Sequence, residues 1–218
     1  MKKLTKIFST LALALTALAF TSCADAIVND GSEVRSYVNS GSGSGGSGNW
    51  CLCKNSAYEI FDIQVWADGA GTFTYLNSGD YGRFSITDVG GGWIGGGLVS
   101  SESGKNFDFS SVKTMTFKIR GSIDPLSLYI GVQGSGENEL YPSKASLKSV
   151  ASVNSLSESD WTEVSIDVSE AASGSIINAF CIIGAGDWGK AISAGNWFDI
   201  KDLDYLDSSG SSVILTLK

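Results

Sequence analysis

Hydrophobic and polar positions alternate with a period of two along most of the chain, most clearly between residues 106 and 134, NFDFSSVKTMTFKIRGSIDPLSLYIGVQG. There Met115, Phe117 and Ile119 alternate with Thr114, Thr116, Lys118 and Arg120. After a turn, Leu126, Leu128, Ile130 and Val132 alternate with Ser127, Tyr129, Gly131 and Gln133. A strand needs this pattern when one face is buried and the other meets water or a ligand. Gly121-Ser122 and Asp124-Pro125 supply turn chemistry between the runs. The pattern predicts two neighbouring strands whose outward side carries Arg120, Tyr129 and Gln133, and that side is the first place to look for a site.

The same period returns elsewhere. Residues 58–66 set Phe61, Ile63 and Val65 against Asp62, Gln64 and Trp66, residues 72–76 read as a short strand, and 83–89 oppose Phe84 and Ile86 to Arg83, Ser85 and Thr87. Residues 161–168 turn Val164, Ile166 and Val168 inward. Residues 176–184 are apolar on both parities, as in a strand covered on both sides. Residues 197–206 and 213–217 close the chain around the turn Asp207-Ser208-Ser209-Gly210, while 143–157 read as loop or a short helix. About nine short strands without a strong 3.6-residue period after the N-terminus predict an all-β fold, a two-sheet antiparallel β-sandwich. In GGGWIGGGL (residues 90–98) the glycines predict a close backbone approach or a bulge; no phosphate-loop pattern is present.

Composition narrows the chemistry. With 218 residues and 43% hydrophobic content the chain builds one sizeable core, and 27 glycines with only 2 prolines suit a turn-rich β fold. The formal charge of −8 repels phosphate backbones, which argues against nucleic acid. Without any histidine, a Ser-His-Asp triad and His-ligated zinc are excluded.

Residues 1–22 carry three lysines followed by an apolar run too short for a confident membrane span, and they end in Phe20-Thr21-Ser22 before Cys23. This resembles a bacterial lipoprotein signal peptide, which implies that Cys23 is lipidated and tethers the chain to a membrane of the cell envelope. An ordinary secretory peptide with a coincidental cysteine is the other reading. Residues 23–49 include GSGSGGSG, and residues 24–48 read as a flexible coil reaching roughly 25–30 Å. Residues 50–218 form the folded domain. Its Trp50-Cys51-Leu52-Cys53 start has poor geometry for a mutual disulfide. Either cysteine could bridge to Cys181, or all could be buried thiols.

Each of the patterned segments is fold-dictated on its own. Taken in order, however, WIGGGL (93–98), FDFSSVKTMTFKIR (107–120), LYIGVQ (128–133), WTEVSIDV (161–168) and FDIKDLDYLDSSG (198–210) resemble a jelly-roll, galactose-binding-like carbohydrate-binding module of the kind attached to bacterial glycan-degrading enzymes. The resemblance implies a non-catalytic domain that binds polysaccharide through exposed aromatic residues, and in many members a structural calcium, for which Asp202 is the candidate ligand. A pyranose stacks its C–H face on flat rings, and its hydroxyls demand donors and acceptors at the rim. The candidate ligand-binding residues are Trp93, Tyr129, Gln133, Trp188, Arg120 and Trp66. Trp93 and Trp188 lie in glycine-rich loops and are either platforms or plugs. Trp161, Trp50 and Trp197 read as structural. Rival readings are a small jelly-roll glycan hydrolase or lyase, for which Glu163 and Asp167 are the one carboxylate pair on a strand face, and an envelope lipoprotein that contacts a protein partner. The expected protein is a monomer.

Overall fold

A computed structural model describes residues 24–29, 33–38, 53–54, 60–68, 72–78, 80–88, 93–135, 140–142, 146–185 and 192–218. Signal residues 1–22, Cys23, the glycine–serine run, Trp50, Cys51 and Trp188 lie outside them, as does the side chain of Trp93.

The elements are β1 (Ala24–Asn29), β2 (Glu33–Val38), β3 (Phe61–Asp68), β4 (Thr72–Asn77), β5 (Gly82–Asp88), β6 (Trp93–Ser100), β7 (Thr114–Gly121), β8 (Leu128–Gly134), β9 (Leu140–Tyr141), α1 (Leu147–Ala151), β10 (Thr162–Asp167), β11 (Ile176–Ala185) and β12 (Trp197–Leu206). They build a seven-stranded sheet, β1-β2-β3-β6-β11-β8-β9, and a five-stranded sheet, β10-β7-β12-β5-β4. All named strand pairs are antiparallel. The two apolar inner faces close on each other, so the protein is an all-β sandwich.

The alternation of β7 is the reason it lies where it does: Met115, Phe117 and Ile119 are sealed in the core while Thr114, Thr116, Lys118 and Arg120 stay outward. Phe84, Phe198 and Phe73 stack through the middle, with Phe84 and Phe198 centroids 5.1 Å apart. Tyr205 crosses the sandwich, its buried hydroxyl donating to the carbonyl of Ala179 on β11 at 2.8 Å. Burial, with the neighbouring Cys53 and Asp204 adding to it, pushes the phenol well above its ordinary range.

Three expectations are corrected. First, β7 and β8 are not neighbours. Gly121 to Ser127 do not make a hairpin but carry the chain from one sheet to the other, through a short 3₁₀ turn at Pro125–Ser127 capped by Asp124. Arg120 therefore sits on the opposite side of the molecule from Tyr129 and Gln133. Second, residues 24–29 and 33–38 form an antiparallel hairpin whose second strand pairs with β3. Averaging over residues 24–48 let the glycine–serine run mask two short segments, ADAIVN and EVRSYV, whose β-branched and aromatic content favours strands. Third, residues 213–217 make single bridges, such as Leu217 to Phe107, but no strand. Of the two readings of the cysteines, the thiol one holds for Cys53 and Cys181, which form no disulfide with each other, and Cys51 lies outside the described residues.

β11 is covered on both sides, with Phe180, Cys181 and Ile182 fully buried. The weakly patterned 143–157 region contains the short helix α1, capped by Ser146.

The glycines of β6 do what close approach requires. A Cβ built on Gly97 would overlap the carbonyl oxygen of Phe180, beside the bulge in β11 between Asn178 and Phe180. Backbone cannot move aside as a side-chain tip can, so Gly97→Ala should cost about 3 kcal/mol, at the upper end of overpacking penalties. Thermal unfolding of the variant, about 6–12 °C below wild type, checks this.

Candidate functional site

The outer face of the five-stranded sheet is built row by row. Asp199 on β12 pairs across the ladder with Arg120 of β7 on one side and Arg83 of β5 on the other. Trp161 stands just before Thr162, whose partner on β7 is Ile119, and so flanks Arg120 at the sheet edge. The alternation that buries Phe84, Ile119, Val164, Phe198 and Ile200 turns Arg83, Arg120, Trp161, Trp197, Asp199 and Lys201 to this one side.

Asp199 is 0% exposed, and its carboxylate holds both guanidinium groups. Arg83 donates from Nε to Oδ1 at 2.7 Å and from Nη2 to Oδ2 at 2.9 Å, and Arg120 donates from Nε to Oδ2 at 2.8 Å. The hydrogen bond to Asp199 raises the Arg83 pKa further, so its charge is permanent. Each cation also lies over a ring. Arg83 is 3.9 Å from the Trp197 centroid, Arg120 is 4.6 Å from Trp161 and 5.0 Å from Tyr81, and Lys201 Nζ is 4.4 Å from Trp161. Tyr81 meets Trp161 edge-on at 5.9 Å. The three rings are half-buried and held by these cation contacts.

Beside this platform lies a hollow of about 460 Å³, lined by Lys54, Thr116, Lys118, Glu163, Ser165 and Asp202 along with core-facing neighbours. Asp202 reaches it from a bulge in β12, in left-handed backbone at φ 55°. Lys118 spans the hollow, 3.0 Å from Asp202 Oδ2 and 3.8 Å from Glu163 Oε1, and the hydrogen bond to Asp202 keeps it protonated above the ordinary lysine range. Among the described residues no three acidic or thiol side chains converge as a metal shell, and the Asp202 carboxylate is engaged by Lys118. Among the described residues the set around Asp202 does not fit calcium, which takes several oxygen ligands and no ammonium.

Of the sequence-predicted residues, Arg120 belongs to this platform. Trp66, Tyr129 and Gln133 come together on the other side, the outer face of the seven-stranded sheet. A cross-strand row there runs Trp66, Gly95, Ile183, Tyr129. Tyr129, expected outward and open, has the outward parity but is covered, at 8% exposure, in a small apolar cluster with Leu140, Cys181, Trp66 and Ile183. The Trp66 ring lies flat over Gly95, where a Cβ would come within 2.9 Å of Cε3, and its indole N–H donates to Gln64 Oε1 at 3.2 Å. Gln133 accepts from Asn178 and from the thiol of Cys181. Among the described residues these groups satisfy one another as one packed cluster. Trp93 begins β6, opposite Ala185.

Burial pushes the Cys181 thiol up to about 12. Native protein treated with iodoacetamide near pH 8 should therefore be labelled at half-buried Cys53 and not at Cys181, which reacts only after unfolding. Peptide mapping reads the difference.

Sequence reasoning missed Tyr81, Arg83, Trp161, Trp197, Asp199 and Lys201 as a group. The signal was parity. Trp161 shares the odd positions of Glu163 and Ser165 opposite inward Val164, and Trp197, Asp199 and Lys201 are odd against inward Phe198 and Ile200. What parity alone does not give is that β10, β7, β12 and β5 are consecutive in one sheet.

No protein-family model matches the chain, and no curated protein matches it. Among solved structures it is similar to a low-affinity xylan-binding module, CBM86, from the xylanolytic gut symbiont Roseburia intestinalis, at 13% identity and a TM-score of 0.40, covering 70% of this chain and 92% of that one. At that distance the likeness carries no argument about what this face holds.

Proposed function

We propose that the chain is a non-catalytic polysaccharide-binding protein, anchored to the bacterial cell envelope through a lipid on Cys23, and that it holds glycan on the outer face of the five-stranded sheet. One observation carries the reading: three half-buried rings pack with two arginines that are locked on a buried carboxylate, beside a hollow wide enough for a sugar unit. Stacking surface, hydrogen-bonding rim and rigidity are what a flexible, hydroxyl-rich polymer requires, since each ordered contact must offset the entropy of fixing the chain.

Support for binding without cleavage comes from the carboxylates. A glycosidase needs one acid with a raised pKa near a second carboxylate. Among the described residues the raised carboxylate is Asp62, lifted by burial, on the opposite sheet. Asp167 is lowered, its carboxylate accepting from the hydroxyl and N–H of Ser169, and Glu163 faces Lys118. Because Ala24 already belongs to β1, acyl chains on Cys23 would enter the membrane beside the edge of the seven-stranded sheet.

Affinity electrophoresis against glucan, xylan and mannan tests the binding: retardation by at least one of the polymers is expected, and mobility unchanged by every polysaccharide tried would contradict the reading. Detergent partitioning that is lost in Cys23→Ser tests the anchor.

A further inference from the structure

The platform is unusual in its donor balance. Two cations, Arg83 and Arg120, stand on one sealed carboxylate, Asp199, and a third, Lys201, is the next outward residue of β12, in a chain whose formal charge is −8. Arg83 uses Nε and Nη2 on Asp199, and Arg120 uses only Nε. Among the described residues, no acceptor takes the Nη groups of Arg120, the Nη1 of Arg83 or the ammonium of Lys201, which has only the Trp161 ring beneath it. A neutral sugar presents hydroxyls that both give and accept, and it is met best by a mixed set of amides and open carboxylates. In the row Arg83, Asp199, Arg120 the one carboxylate is 0% exposed, so that row offers donors and no acceptor, while the next row, Lys201, Lys118, Glu163, carries one open carboxylate that Lys118 faces at 3.8 Å.

Resting on the binding reading above, we infer that this face selects a glycan bearing an anionic substituent, a uronate carboxylate or a sulfate ester, with the charged group on Arg120 and Lys201 and its ring against Trp161. A guanidinium with free Nη groups takes a carboxylate or sulfate through paired, charge-assisted hydrogen bonds. The surrounding chain repels polyanions, so any preference for an acidic polymer must come from this local excess of positive charge rather than from net attraction. The adjacent hollow, with Thr116, Ser165 and Glu163, suits the hydroxyls of a neighbouring neutral unit.

The test compares polymers that differ only in charge: polygalacturonate against its carboxyl-reduced galactan, and dextran sulfate against dextran, by calorimetry at low and high salt. An acidic polymer is expected to bind about tenfold or more tightly than its neutral counterpart, with the difference shrinking as salt rises. Tighter binding of polygalacturonate identifies a carboxylate, and tighter binding of dextran sulfate a sulfate ester; both support the inference. Arg120→Gln and Lys201→Gln should each remove most of the discrimination, and Lys201→Gln breaks no ion pair among the described residues, so it keeps the test open if Arg120→Gln unfolds. Equal affinity for charged and neutral members of both pairs, or discrimination that survives both substitutions, overturns the inference and leaves glycan binding standing. Absence of binding to these polymers and to glucan, xylan and mannan alike removes the binding reading itself.

Discussion

Trp161→Ala is expected to weaken glycan binding by about ten- to a hundredfold while the sandwich stays folded. Trp161 lies outside the core, at the edge just before β10, half-buried rather than sealed. Its ring is the support on which Arg120 and Lys201 rest, at 4.6 and 4.4 Å, and its edge meets Tyr81. Removing it deletes a stacking surface and frees two cations from a fixed geometry at once. Aromatic anchors of this kind carry about 2 kcal/mol or more of binding energy where they are central to a site. The stability cost should be about 1 kcal/mol, the scale of partly solvated cation–π contacts. Calorimetry and a thermal melt on the same preparation separate the two effects. A large fall in melting temperature with unchanged affinity would make the ring a structural strut and not a platform.

Asp199→Asn should be the most destabilising single change on this face, costing about 3 kcal/mol and lowering the melting temperature by roughly 6–12 °C. The carboxylate is fully buried and accepts three N–H groups from two guanidiniums. Asparagine has one acceptor oxygen, and its amide N–H₂ would face another donor, so at least one arginine contact turns repulsive. Arg83 and Arg120 keep 33% and 21% of their side-chain surface in water, which softens the loss and places it at the low end of the range for a broken buried pair. Their release should also weaken glycan binding, because the row loses its rigidity. A variant as stable as wild type would show that the arginines are held by the rings alone.

Much of the sandwich was legible because burial on one face imposes a period of two. Phe61, Ile63 and Val65, then Phe84 and Ile86, then Met115, Phe117 and Ile119 are inward in the sequence pattern and inward in the core. Even the glycine-rich stretch before Leu98 was readable as a close approach, and Gly97 over Phe180 is one. What was not legible is long-range. Gly121-Ser122 and Asp124-Pro125 carry the same turn chemistry whether the chain folds back in its own sheet or crosses to the next, so the pattern predicts β7 and β8 as partners. Parity marks which side of a strand a residue takes but not which sheet the strand joins. For that reason the pattern puts Arg120, Tyr129 and Gln133 on one face and reads Trp161 and Trp197 as structural, although their parity points outward. Tyr129 shows the converse limit: outward parity does not mean open, because Leu140 from β9 and the Trp66 ring close over that side.

The most direct measurement follows the indole N–H signals of the tryptophans by heteronuclear NMR as a bound glycan is titrated in. The account predicts that Trp161 and Trp197 shift progressively to saturation while Trp66, hydrogen-bonded to Gln64 on the opposite sheet, stays in place. Shifts at Trp66 with Trp161 and Trp197 unmoved would put the ligand on the seven-stranded sheet and contradict it.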